Sequence, residues 1–215
     1  MKSRTRSIAL AWLAVAACSS PARPPISNQP VAGSRGIALA VVLNGWELFA
    51  GNDTLLPADD PSRYPGVLPA LDAELPKLAT LPGLATLIVY ADHATVTRKL
   101  GATRDLTSGW FGEQKTYFNK VGVELITGLE LAVKTLAEAP PELDRVILVL
   151  GDGCDTNQEM AKQRLEKLGL SGRHIALHEI QIATQLSAEC APLAGAQHHG
   201  SSLSPGIDHF VAAVR

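Results

Sequence analysis

The sequence predicts an α/β domain built on a doubly wound, mostly parallel sheet, with one antiparallel edge strand and helices on both faces. Three observations lead there. Continuous apolar runs such as Ile37–Leu43 and Val146–Leu150 suit strands covered on both sides. Segments with apolar residues at helical spacing alternate with those runs. The stretch from residue 37 to 215 holds 179 residues, enough for one domain with a full core.

The elements follow in order. Ile37–Leu43 is the first buried strand, and a loop with Gly51-Asn52-Asp53 and Asp59-Asp60-Pro61 leaves it. Val67–Leu78 has helical spacing, although Pro69 and Pro76 threaten to shorten or break that helix. Leu84–Tyr90 is a second strand, and Ala94–Leu100 a third, entered through Asp92-His93 and pairing antiparallel at an edge. After a long loop, Glu124–Ala137 carries Leu125, Leu129, Ala132, Val133 and Leu136 on one helical face, stopped by Pro140-Pro141. Arg145–Leu150 is the strongest buried strand, and Gly151-Asp152-Gly153 turns it. Thr156–Leu168 is helical, with Gly169 as its C-terminal stop. Ile175–Ile182 is a further strand. Ala188–Leu193 and Ile207–Val214 read as short helices, with a short strand near Gln197. The whole is Rossmann-like. In such a sheet ligands gather outside the carboxyl ends of the strands. Those ends are Asn44–Phe49, the Thr107–Val123 loop and Gly151–Asp155.

The first residues have a different character. Lys2, Arg4 and Arg6 precede a ten-residue apolar run, Ile8–Ala17. That run is too short to span a bilayer and has the shape of a secretory signal. Small residues before Cys18 resemble a bacterial lipobox. The resemblance implies a signal peptide over residues 1–17, cleavage before Cys18, and acylation (palmitate among the acyl chains) of that cysteine. An ordinary signal peptide that happens to contain a cysteine is the alternative. More than one acyl chain makes a stable anchor, each buried methylene contributing roughly 0.8 kcal/mol. Residues 18–36 would then be the lipidated cysteine and a flexible linker, with four prolines and no periodicity. Residues 37–215 form the folded domain. Ser19 after the cysteine points, by resemblance to enterobacterial sorting, to the outer membrane, facing the periplasm or the cell surface.

Removing 17 residues, three of them basic and none acidic, leaves a chain of net charge −5. With no basic stripe, that acidity argues against nucleic acid, whose affinity rests on cationic contacts to phosphate. The expected partners are the membrane, through the anchor, and an unidentified protein of the cell envelope. Cys154 and Cys190 would meet an oxidising compartment and either pair as a disulfide or stay as separate thiols.

The order of segments resembles a von Willebrand factor type A (VWA) domain over residues 36–215. The resemblance rests on Val42-Leu43-Asn44-Gly45-Trp46, on Leu87–Thr95, on Val121–Leu129 and, most specifically, on Leu148-Val-Leu-Gly-Asp-Gly-Cys-Asp155. The family often binds Mg²⁺ through an Asp-x-Ser-x-Ser turn, a Thr at a helix start and an Asp after the fourth strand. Carried over, the first Asp falls on Val42, the two Ser on Asn44 and Trp46, and the Thr on Val123. Only Asp152 matches. Mg²⁺ demands hard oxygen ligands in octahedral geometry. The resemblance therefore implies a degenerate site: no cofactor, or Mg²⁺ bound weakly at Asp152, Asn44 and Asp155. The favoured reading of Asp152 is a cap accepting backbone N–H bonds, with a metal role as the alternative.

Six aromatics cluster in the strand-end loops: Trp46, Phe49, Trp110, Phe111, Tyr117 and Phe118. Asn44, Trp46, Trp110, Phe111, Tyr117 and Asp152 are the binding-face candidates, since Trp and Tyr anchor interfaces. The alternative is that these aromatics pack on one another. No catalytic residue is assigned, because no nucleophile elbow or phosphate loop occurs. His174 and His178 share a strand face four residues apart, and His198 and His199 in a strand would point to opposite faces. The expected function is non-catalytic binding of a protein partner. The alternative is a metal-dependent envelope hydrolase or metal-dependent adhesion using Asp152 and Asp155.

Overall fold

The structure is a computed structural model that describes residues 36–46, 67–107, 109–111, 124–152, 155, 157–182 and 191–215. Six strands form one sheet in the order β3-β2-β1-β4-β5-β6. They are β1 (Ile37–Asn44), β2 (Gly83–Tyr90), β3 (Ala94–Ala102), β4 (Asp144–Gly151), β5 (Ile175–Gln181) and β6 (Gln197–His198). All neighbours are parallel except β2 and β3, which pair antiparallel with register shifts about Leu87. The predicted doubly wound sheet and its antiparallel edge strand are both present.

Four helices cover the two faces: α1 (Leu68–Leu78), α2 (Leu125–Leu136), α3 (Gln158–Leu168) and α4 (Leu203–Val214). Every residue of β1 is buried, as its unbroken apolar run requires. Its alternate side chains supply two cores. Leu39, Val41 and Leu43 join Leu71 and Leu75 of α1 and Ile207 and Phe210 of α4. Ala38, Ala40 and Val42 join Leu125, Leu129, Ala132 and Leu136 of α2. Burying each Leu or Ile contributes roughly 1.5–3 kcal/mol, so the central strand is the anchor of the fold.

Both prolines of α1 are accommodated. Pro69 sits in the first turn, where no N–H is needed, and Pro76 comes two residues before the end. Gly169 ends α3 in the left-handed conformation at φ 58°, as expected of a C-terminal stop. Two expectations need correction. Within the expected Ala188–Leu193 helix, the described residues 191–193 are irregular. The last helix begins at Leu203 rather than Ile207, because Pro205 lies in its first turn and does not interrupt it. Residues 1–35, Cys154 and Cys190 lie outside the described residues, and with them the signal, anchor and disulfide expectations. Among the described residues no helix is long and apolar enough to cross a membrane.

Candidate functional site at the strand ends

The chain leaves β1 toward β2 on one side and meets β4 on the other, so the topological switch point lies between β1 and β4. Crevices of doubly wound sheets open at that point, beyond the carboxyl ends. Asn44 ends β1, and Gly151-Asp152 ends β4. Both polar side chains are buried, Asn44 fully and Asp152 with 8% exposure.

Two hydrogen bonds define Asn44. The Trp46 backbone N–H donates to Asn44 Oδ1 at 2.8 Å, and Asn44 Nδ2 donates to Asp152 Oδ1 at 3.1 Å. The first determines the second. An N–H can only donate, so the amide oxygen faces Trp46 and the amide nitrogen faces the carboxylate. The bond bridges the switch point with an anion on one side and a neutral donor on the other.

Val42 is not part of this site. It is fully buried in the α2-side core. The residue at the end of the strand is Asn44, two positions later. Side chains alternate with a period of two, so a slip of two residues keeps the face and escapes detection in the sequence. Val123 lies outside the described residues.

Asp155 is also placed. Its Oδ2 accepts the Ile126 N–H at 3.1 Å and its Oδ1 accepts the Asn157 N–H at 3.0 Å. It satisfies one of the free amides at the N-terminus of α2 and fixes the entry to α3. Among the described residues no three His, Cys, Asp or Glu side chains come together as a metal-binding group.

Tyr90, which the sequence reading left out, lies beneath the site. Its ring is fully buried, and its hydroxyl finds no hydrogen-bond partner among the described residues. Burial, followed by the charges of Asp152, Glu179 and Asp155, pushes the phenol well above its ordinary range, so it stays neutral. Two glycines make room. A Cβ on Gly151 would lie 2.6 Å from Tyr90 Oη and 3.1 Å from Asn44 Cβ. A Cβ on Gly128 of α2 would lie 2.8 Å from Val42 Cγ1 and 3.1 Å from Tyr90 Cβ. Close packing of α2 over β1 and β2 therefore holds the floor of the site.

The aromatic rim is corrected in part. Phe111 is fully buried and Trp110 retains 9% exposure, and both belong to the core beneath α1. Their rings meet edge to face at 4.9 Å, and the Phe111 N–H donates to Asp72 of α1 at 2.8 Å. Packing on one another and on α1 gains more apolar burial than facing water, so these two are core residues. Trp46 is half-buried against the same core. Tyr117, Phe49 and Phe118 lie outside the described residues.

A second buried polar cluster stands at the β5–β6 edge. His178 Nδ1 and His199 Nε2 are 2.8 Å apart, the rings stack at 8°, and Phe210 of α4 meets both edge to face. On the opposite face, fully buried Glu179 accepts the Leu193 N–H at 3.0 Å and lies 3.8 Å from His198 Nδ1. His198 and His199 point to opposite faces as expected. The His178–His199 pairing went unforeseen, since strand register across 21 residues leaves no trace in sequence.

No protein-family model matches the chain, and no curated protein does. Solved structures do. Manganese-loaded TRAP protein of Plasmodium vivax is 13% identical at a TM-score of 0.55, over 85% of this chain and 73% of TRAP. The conserved hypothetical protein BatB from Bacteroides thetaiotaomicron is 15% identical at 0.55, over 83% of this chain and 97% of BatB. The VWA domain of SpRpn10 is 15% identical at 0.50, over 83% and 82%. Such identities speak for the fold alone. With six strands in this order, one antiparallel edge and helices on both faces, the chain has the fold of a von Willebrand factor type A domain.

Proposed function

We propose that this is a lipid-anchored protein of the cell envelope whose VWA-type domain binds a protein partner at the carboxyl-end face of the sheet, without catalysis. The observation that supports this reading is the Asn44–Asp152 hydrogen bond. A neutral amide aims its N–H at the one carboxylate that the family pattern supplies, where a cation would need oxygen. TRAP is manganese-loaded, but the described residues here do not fit a hard cation. The Asn44 oxygen is engaged by Trp46, and both Asp155 oxygens accept backbone N–H groups. No reaction step is derived through a metal. Half-buried Trp46 beside this pair is the described aromatic left to meet a partner. The anchor rests on Cys18 and the basic and apolar segment before it. The acidic mature chain supports a protein partner over nucleic acid.

Two measurements test the reading. Thermal melting in Mn²⁺ or Mg²⁺ and in chelator is expected to coincide, because an ion bound only to the native state would raise the midpoint by mass action. A rise that Asp152→Ala abolishes overturns it in favour of metal-dependent adhesion or hydrolysis. For the anchor, radiolabelled palmitate is expected to enter the chain and to be lost with Cys18→Ser. A fully labelled Cys18→Ser chain sinks that half of the reading.

A further inference from the structure

We propose that the β5–β6 edge of the sheet is an acid-released latch, with the buried His178–His199 pair as its fastening. β6 is two residues long, so little backbone pairing holds it. The His199 N–H donates to Glu179 O at 2.9 Å, and the Gln181 N–H donates to Gly200 O at 3.1 Å. Beside the first of those bonds, His178 Nδ1 and His199 Nε2 are joined by a hydrogen bond of 2.8 Å. Such a bond needs one ring nitrogen with hydrogen and one without. When both rings are charged, two donors face each other and the bond is gone.

The surroundings make the charged form costly. His178 retains 3% exposure and His199 7%, with Phe210 of α4 against both rings. The charged groups that act on the pair are the two rings themselves, His198 on β6 and His209 on α4, all cationic or neutral. Glu179 is the neighbouring carboxylate, but the pleat sends it to the other face. Burial and these neighbours hold both imidazoles below their ordinary range, His178 at about 4. They are neutral at neutral pH and take up protons most readily when the edge comes free.

The other face works in the opposite sense. Acid charges His198, which draws it toward Glu179 while that carboxylate remains ionised. That contact is 3.8 Å long and the His198 side chain is 34% exposed, so solvent screens it. The buried pair outweighs it. Release bares the outer edge of β5, a row of unpaired backbone groups.

Amide hydrogen exchange on the whole chain tests the latch at the His199 and Gln181 amides, with Val41 in β1 as the core reference. After correction for intrinsic rates, protection at the two edge amides is expected to fall at least tenfold from pH 7.5 to pH 5, while Val41 keeps its own. His178→Phe combined with His199→Gln removes both titrating rings and is expected to level the two pH values. His178→Phe, which removes the bond, is expected to leave the edge weakly protected at both. Edge protection equal at both pH values in the unaltered chain overturns the latch. So does a tenfold loss that persists in the double variant.

Discussion

The switch-point pair and the edge pair are both polar contacts buried within one sheet, yet they are built for opposite purposes. Asn44–Asp152 lies at the centre, between two strands whose every neighbour is paired, over a floor where α2 packs close to Val42 and Tyr90 through Gly128. One partner is an amide that does not titrate in water and the other is a single carboxylate. His178–His199 lies at the margin, beside a strand of two residues, and both partners titrate. The difference teaches where a fold tolerates a switch. A buried pair that changes charge in the middle would strain the whole core, whereas at an edge only local structure opens.

Changing pH should separate the two pairs most strongly. His178 and His199 both titrate lower when folded than when unfolded, His178 at about 4 against an ordinary 6.5, so the unfolded chain binds more protons in that window. The His178 contribution is complete above the upper value and is lost as pH falls through that window, by about 3 kcal/mol, and His199 acts in the same direction. Glu179, raised by burial, has the reverse sign: its contribution grows as pH falls and subtracts from that loss. Urea unfolding at pH 7.5 and 4.5 should show the net loss, and His178→Phe with His199→Gln should flatten it. A curve that stays steep would remove the edge pair from the account.

Asn44→Asp is expected to cost about 2 kcal/mol in chelator, because two carboxylates would then face each other in a buried site. Mn²⁺ should recover that loss, giving the variant an ion-dependent melting point that the unaltered chain lacks. A variant indifferent to both would break the claim that the amide stands where an oxygen donor is needed. Gly151→Ala should cost about 1 kcal/mol by pressing on Tyr90 Oη and Asn44, and intrinsic tyrosine fluorescence should report the shift. Arg164→Ala, which breaks the two-pronged contact with Glu130 between α2 and α3, lies outside both regions. It should cost about 0.5 kcal/mol and leave pH dependence unchanged, since solvent reaches both half-buried side chains and screens the pair.

Much of the fold was legible. The parallel strands β1, β2, β4 and β5 follow apolar runs and the helices follow apolar spacing, because two-sided burial and one-sided burial impose different periods on a chain. The site was legible only in outline. Asp152 was found through the glycines around it. The resemblance set its leading position on Val42, which is buried in the α2-side core, two residues before Asn44 on the same face. Trp110 and Phe111 were read as surface because they sit in a loop, but a loop folded back on α1 can bury its aromatics. Tyr90 gave no signal, being one more apolar-looking residue at the end of a buried strand.

By itself the sequence determined the alternation of strand and helix, the acid balance of the chain and which turns lie at the strand ends, since these depend on neighbours a few residues apart. The tertiary structure alone decided which polar groups meet: Asn44 with Asp152 across 108 residues, Asp155 with Ile126 across 29, and His178 with His199 across 21. Those meetings depend on strand order and register, which arise only when the whole sheet closes on its two cores.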